Sequence, residues 1–290
     1  MKILDGKELS MQIKAEIKID VDSIREVGGN IPHLAAVIVG DNPASESYVR
    51  NKVRSSEQVG FESTVIRKDE NISQEELIEI VIGLNNNEDV DGFIVQLPLP
   101  RHIDPDIINL TIDPKKDVDG FTPYNFGCMC QGFDTYLPAT PYGILLMLER
   151  NQISTSGKHV VVIGRSNIVG TPISILLSRK GDPGNATVTI THSRTVNLEE
   201  VIRSADIVIA AIGRANFITA DMVKTDAVVI DVGINRVQDT TKKKGYRLVG
   251  DVDFDSVKHK ASYITPVPGG VGPMTVTSLL LNTLKASKKK

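Results

Sequence analysis

The chain has 290 residues, 41% of them hydrophobic and 24% charged, with a formal net charge of −3. This is the composition of a soluble globular protein of about two domains; it lacks the basic footprint of a nucleic-acid binder, and no apolar stretch approaches the about 18 residues that suggest a membrane span. The amino terminus, MKILDGKELSMQIK, has no long apolar segment of the signal-peptide kind, so a cytoplasmic location is expected, with no membrane or nucleic-acid partner.

In chain order, residues 33–40 (HLAAVIVG), 63–68 (STVIRK) and 93–97 (FIVQL) read as strands. Helices are predicted between them, over 44–59, which holds no proline or glycine, and over 73–84, where Ser73 and Glu76 have capping-box spacing. Three features of this α/β half offer chemistry. Tyr48 and Lys52, at i and i+4, place a phenol beside an ammonium on one helix face, although a solvated face has the same spacing. Gln96 is polar in an apolar strand that breaks at Pro98 and Pro100; it either reaches a site or bonds a neighbouring loop. Asp117-Val118-Asp119-Gly120 is repeated at Asp89-Val90-Asp91-Gly92 and nearly so at Gly250-Asp251-Val252-Asp253, which makes the word alone turn chemistry. Cys128 and Cys130 form C-M-C without a second pair, and the five histidines are scattered, so no metal site is expected.

PATPY at 138–142 predicts a domain boundary and a helix start leading into GILLMLER. In 159–172, HVVVIGRSNIVGTP, an apolar run stops at Gly164, followed by Gly170 and Pro172. Glycines let backbone approach a ligand, and a helix N-terminus favours an anion such as a pyrophosphate. The spacing matches neither G-x-G-x-x-G nor G-x4-G-K-[ST], so a plain strand-to-helix turn fits it as well. Four β-branched runs follow, at 186–192, 206–213, 227–234 and 262–267, and NLEEVIRS at 197–204 carries Asn197 and Glu200 as a second capping box. This alternation predicts a doubly wound domain binding a dinucleotide. The ending KASKKK reads as a frayed, solvated tail.

The fold class is therefore α/β: two α/β domains flanking a cleft, the C-terminal one a Rossmann-like doubly wound parallel sheet. The boundaries are drawn as 1–139 and 140–272, with a C-terminal helix at 273–286 packing back on the first domain.

The segments SESYVRNKVRSSEQVGF, DGFIVQLPLP, DPKKDVDGF, PATPYGILLML, VVIGRSNIVGTP, ATVTITHSRT, DVGINR and TPVPGGVGPMTVTSLL, in that order from residue 45 to residue 280, closely resemble the bifunctional methylenetetrahydrofolate dehydrogenase/cyclohydrolase family. The resemblance implies oxidation of 5,10-methylenetetrahydrofolate to the methenyl form, usually with NADP, then hydrolysis to 10-formyltetrahydrofolate, by what is usually a homodimer. It makes Lys52 the catalytic lysine, with Tyr48 in the folate pocket, Gln96 bonding the lysine and Asp119, not Asp91, on the pterin. It adds Leu97, Pro98, Gly270 and Pro273 to the substrate site. For NADP it implies Gly164, Arg165 and Ser166 at the phosphate turn, Ser193 and Arg194 after the second strand, and Ile234 at the nicotinamide. The chain departs from the family pattern at Thr171, often basic, at Ala139, often cysteine, and in a longer RKGDPGN segment before ATVTITH, placed as a modifier of the adenosine end.

The chemistry agrees with those roles. Hydride transfer depends on alignment, hydrolysis needs a proton-exchanging group, for which a desolvated lysine is suited, and an aspartate facing pterin N–H groups makes charge-assisted hydrogen bonds. A short-chain dehydrogenase shares Tyr-x3-Lys but has its glycine turn before that pair, the reverse of the order here. A monofunctional dehydrogenase of the same family and a non-catalytic nucleotide-binding protein are the remaining readings; Lys52 and Gln96 favour hydrolysis over the first, and Lys52 and Asp119 favour turnover over the second.

Overall fold

The computed structural model describes residues 1–242 and 244–289. The chain runs β1 (Lys2–Ile3), α1 (Gly6–Glu26), β2 (His33–Val39), α2 (Pro43–Val59), β3 (Glu62–Lys68), α3 (Gln74–Asn86), β4 (Gly92–Val95), α4 (Pro105–Thr111), α5 (Pro123–Gln131) and α6 (Ala139–Arg150). It continues with β5 (His159–Ile163), α7 (Gly170–Ser178), β6 (Thr187–Thr191), α8 (Leu198–Arg203), β7 (Ile207–Ala210), β8 (Val228–Asp231), β9 (Asn235–Gln238), β10 (Tyr246–Val249), α9 (Phe254–Val257), β11 (Tyr263–Ile264) and α10 (Val271–Ser287). Two units share these elements: Met1–Ser10 with Thr140–Thr275, and Met11–Ala139 with the chain from Val276 onward.

In the second of these units a parallel three-stranded sheet has the order β3-β2-β4. The central strand, HLAAVIV, is apolar throughout because both its faces are covered. Ala35, Val37 and Val39 join Phe93 against Leu77, Val81 and Leu84 of α3 and Ile108 of α4. Leu34, Ala36 and Ile38 face the other way, clustering with Val49 of α2, Val118, Tyr136, Ala139, and Leu279 and Ala286 of α10. Burying each large side chain contributes about 1.5–3 kcal/mol. Asn282 of α10 donates to the carbonyls of Val118 (2.8 Å) and Leu137 (2.9 Å). The capping box at the start of α3 is present, with Glu76 N–H on Ser73 Oγ at 3.1 Å and Ser73 N–H on Glu76 Oε2 at 2.9 Å.

The other unit is built on a six-stranded sheet of order β1-β11-β8-β7-β5-β6, parallel throughout. The chain steps from β5 to β6 on one side and then returns to β7 on the other, so the order reverses at β5. In open α/β sheets the crevice at the carboxyl ends of the strands beside such a reversal is where ligands bind. Val161, Ile163, Val208, Ala210, Val229 and Ile264 line one face of this sheet, packed with Ile202 of α8 and Val257 of α9.

Several expectations need correction. Asn197 starts α8 in the left-handed region (φ 54°) with no side-chain cap, so the Asn197–Glu200 capping box does not form. The strand holding FIVQL ends at Val95, leaving Gln96 just beyond it. The KASKKK tail is not frayed at its start: α10 continues to Ser287, Lys285 donates to Asp134 and to the Thr135 carbonyl, and Lys289 pairs with Asp134 at 2.8 Å. The RKGDPGN segment connects α7 to the start of β6, where Gly184 exchanges hydrogen bonds with Thr155 and Asn185 accepts the N–H of Gly157. In a parallel sheet that is the end opposite the glycine turn, so the segment does not touch the cofactor end. Met1–Ser10 lies in the six-stranded unit, not with 11–139, because β1 forms the sheet edge and Leu4 N–H bonds the Ile264 carbonyl at 2.8 Å.

Candidate active site

The helix α2 follows the carboxyl end of β2 and carries Lys52 inward. Lys52 is only 8% exposed, and its Nζ donates to Gln96 Oε1 at 3.3 Å. Gln96 is itself fixed by a bond from its Nε2 to the Leu97 carbonyl at 2.6 Å. An ammonium has three donors, and among the described residues Gln96 is the side chain that accepts from this one, with no carboxylate paired to it. A cation so far from water and so lightly partnered is costly unless a ligand or water completes its shell. Tyr48 stands one helical turn earlier, 41% exposed, and Leu97 and Pro98 are exposed beside Gln96 across a cis peptide bond.

The two copies of Asp-Val-Asp-Gly separate clearly. Asp91 is buried and accepts the N–H of His33 at 2.7 Å, tying the start of β4 to the start of β2. In the second copy, Asp117 is the structural member. Its carboxylate accepts from the N–H groups of Gly120 (2.9 Å), Phe121 (3.1 Å) and Thr122 (2.8 Å) and from Asn125 Nδ2 (2.9 Å). Burial pushes its carboxyl above the usual range against those bonds, led by Thr122 and Asn125. Asp117 pairs in parallel with Phe93, so the chain beyond it runs toward the same end of the sheet as Gln96. Glycine at 92 permits this approach, since a Cβ there would fall 2.2 Å from Val118 Cγ1. Asp119 is half-buried, and its carboxylate takes no hydrogen bond from a described residue. One unit thus brings together Tyr48, Lys52, Gln96, Leu97, Pro98 and Asp119. Gly270 and Pro273 belong to the other unit, after β11.

At the reversal point of the six-stranded sheet, Gly164 follows β5 with φ 119°, and a Cβ on it would lie 2.2 Å from the Ala211 carbonyl oxygen. Ser166 Oγ accepts from the N–H groups of Val169 (3.2 Å) and Gly170 (3.5 Å), and Thr171 Oγ1 donates to the Arg165 carbonyl at 3.2 Å, closing the turn. Arg165 is exposed here, as are Ser193 and Arg194 after β6; neither arginine pairs with a described carboxylate. Ile234, 45% exposed, follows β8. A backbone cradle that a side chain would fill, with two unpaired guanidinium groups at the ends of adjacent strands, fits a phosphate-bearing dinucleotide such as NADP. Among the described residues no three His, Cys, Asp or Glu side chains gather as a metal site, and no helix is long and apolar enough to cross a membrane.

Sequence reasoning missed an acidic pair in this unit, Asp231 beside Asp251. Asp231 closes β8, buried, and accepts the N–H groups of Gly233 (3.0 Å), Asp251 (2.9 Å) and Val252 (2.9 Å). The available signal was an aspartate ending an otherwise apolar run. Burial, with the Asp251 carboxylate adding to it and those three N–H donors opposing, pushes Asp231 up to about 7. The unfolded value is near 3.9, so between the two the native state holds a proton the unfolded chain has released. This stabilisation is full below about pH 4 and lost as pH rises through 7. Comparing unfolding free energies, the wild type should lose about 4 kcal/mol relative to Asp231→Asn between pH 4 and 8; a difference constant with pH would contradict it.

Comparison with known proteins identifies the family. Residues 4–119 match the family model described as the tetrahydrofolate dehydrogenase/cyclohydrolase catalytic domain, and residues 138–290 match the NAD(P)-binding domain of the same family. The bifunctional protein FolD of Cytophaga hutchinsonii is 58% identical over 290 residues, covering all of both chains. Among solved structures, the bifunctional FolD methylenetetrahydrofolate dehydrogenase/cyclohydrolase of Campylobacter jejuni superposes with a TM-score of 0.93 at 46% identity, over 100% of this chain and 99% of that one. The Trypanosoma brucei methylenetetrahydrofolate dehydrogenase-cyclohydrolase, complexed with NADP cofactor and inhibitor, gives 0.93 at 38% identity over 99% and 97%. The chain therefore belongs to the tetrahydrofolate dehydrogenase/cyclohydrolase family.

Proposed function

We propose that Lys52, Gln96, Tyr48 and Asp119 form the folate site of a bifunctional enzyme that oxidises 5,10-methylenetetrahydrofolate to the methenyl form with NADP and hydrolyses the product to 10-formyltetrahydrofolate. The observation that carries the reading is the buried Lys52 ammonium, held among the described residues by a single neutral amide. When bound, NADP accepts the hydride that leaves the one-carbon bridge. Gly164, Arg165 and Ser166 would hold its phosphates, Ser193 and Arg194 its ribose end and Ile234 its nicotinamide. For the first reaction the chain aligns the folate; no protein base has to remove a proton. The second adds water to the methenyl carbon, breaks one carbon–nitrogen bond and releases a proton, which Lys52, oriented by Gln96, relays. Asp119 accepts hydrogen bonds from the pterin and fixes its orientation. Leu97 and Pro98 border this site, while Gly270 and Pro273 have a substrate role by resemblance alone. The enzyme works as a homodimer in the cytoplasm.

A monofunctional dehydrogenase and a nucleotide-binding protein without turnover gain no support from any observation here. The test is direct: with NADP and methylenetetrahydrofolate, reduced-nicotinamide absorbance rises, and added methenyltetrahydrofolate disappears faster than it does spontaneously. No absorbance gain from protein that still binds NADP would leave only the binding role.

NADP is preferred over NAD, because the chain after β6 offers Ser193 and Arg194 where an acidic residue would otherwise take a free ribose hydroxyl, and Arg165 at the end of the adjacent strand is the main cation for the 2′-phosphate. One charge-assisted contact to the 2′-phosphate contributes about 1.5–3 kcal/mol, roughly 10- to 150-fold in kcat/KM. Arg165→Ala should remove most of this preference; equal efficiencies with the two cofactors in the wild type would contradict it.

A further inference from the structure

Asp251 is completely buried, and its carboxylate is saturated by donors from two separate segments. Oδ2 accepts from the N–H groups of Ile212 (2.7 Å) and Gly213 (3.0 Å), and Oδ1 from the N–H of Arg214 (2.8 Å) and from Asn235 Nδ2 (2.9 Å). Three successive amides converging on one anion form a nest whose occupant is the protein's own side chain. They belong to the turn leaving β7, the same turn whose Ala211 carbonyl lies against Gly164. The fourth donor, Asn235, immediately follows Ile234, whose Cδ1 would be 3.6 Å from a Cβ on Gly272 at the start of α10. Asp251 is itself seated by Asp231, which accepts its N–H at 2.9 Å.

We propose that Asp251 is a positioning residue for the cofactor: by clamping Ile212–Arg214 to Asn235 it fixes both the backbone against the Gly164 turn and the segment carrying Ile234. Its loss weakens NADP binding while removing no group assigned to the folate. The inference rests on the NADP-dependent reading above. Acceptor capacity is what the position demands. In Asp251→Asn the amide NH2, whichever way it turns, replaces an oxygen that now faces two donors, so no rotamer restores the clamp. Asn235→Ala cuts one arm and leaves the turn amides bonded.

NADP affinity is measured by calorimetry on wild type, Asp251→Asn, Asn235→Ala and the double variant, alongside KM for each substrate of the dehydrogenase reaction. Asp251→Asn should raise the NADP Kd about tenfold or more, and Asn235→Ala about threefold. The double variant should lose less than the product of the two, since Asn235 donates to the acceptor already compromised. The KM for NADP should rise well beyond that for methylenetetrahydrofolate. If Asp251→Asn fails to fold, Asn235→Ala decides alone: a raised NADP Kd supports the clamp and an unchanged one overturns it. Unchanged NADP affinity in both variants, or equal rises in both KM values, overturns the inference and leaves the cofactor reading standing. Absence of NADP binding in the wild type overturns both.

Discussion

Lys52→Met should abolish enzymatic hydrolysis of methenyltetrahydrofolate and leave measurable dehydrogenase activity. Methionine retains most of the lysine stem, so packing in α2 is preserved while the donor to Gln96 is lost. General acid–base groups contribute about 10²–10⁴-fold, which sets the expected fall in hydrolysis. Dehydrogenation loses only what poorer alignment of the folate costs. Stability should hold or rise, because the change removes a buried cation whose only described side-chain acceptor is Gln96. Gln96→Leu, which keeps Lys52 but releases it, should impair hydrolysis in the same direction and to a smaller extent. The assay follows methenyl-folate disappearance corrected for the spontaneous rate; undiminished enzymatic hydrolysis by Lys52→Met would remove Lys52 from the mechanism.

The parts of this structure legible in the sequence are those whose cause is local. The run 33–39 is apolar at every position because β2 is covered on both faces, and Ser73 with Glu76 announces α3 through three-residue spacing alone. Asn197 and Glu200 have the same spacing, yet Asn197 takes a left-handed conformation that turns its side chain out of the cap. The helix α1 has equally local causes: Asp5 accepts the N–H of Glu8 at 2.9 Å, and Leu9, Ile13, Ile17 and Val21 recur every fourth residue, all buried. What could not be read is non-local. β1 has two exposed residues and no pattern; it exists because β11 offers an edge. In the site, Tyr48 and Lys52 are linked by helical spacing. The Lys52–Gln96 bond spans 44 positions, and exists because β4 lies beside β2. Asp251 looked like a third turn word, and its four donors from 212–214 and 235 become visible only once β7 and the hairpin of β9 and β10 are in place.

The same contrast between local words and their surroundings underlies the expectation for Asp119→Ala, which should weaken folate use severely. A carboxylate hydrogen-bonded to a ligand's N–H groups contributes about 1.5–3 kcal/mol, so kcat/KM for methylenetetrahydrofolate should fall roughly 10- to 150-fold. NADP affinity should stay close to wild type, and so should stability, because no described residue donates to the Asp119 carboxylate in the folded chain. Asp91→Ala has the opposite profile. It strands the N–H of His33, which Asp91 holds at 2.7 Å, and should lower unfolding free energy by about 1–3 kcal/mol with little change in kinetics. Asp117→Ala strands the N–H groups of Phe121 and Thr122 and removes one of two acceptors from the Gly120 N–H and from the Asn125 amide, loosening the turn that presents Asp119, so it should lose both stability and folate affinity. Steady-state kinetics and denaturant titrations on the three variants separate these outcomes. If Asp91→Ala lost folate use while Asp119→Ala lost only stability, the pterin contact would belong to the first copy of the tetrapeptide, and the register that places Asp119 toward the Gln96 end of the sheet would have no bearing on binding.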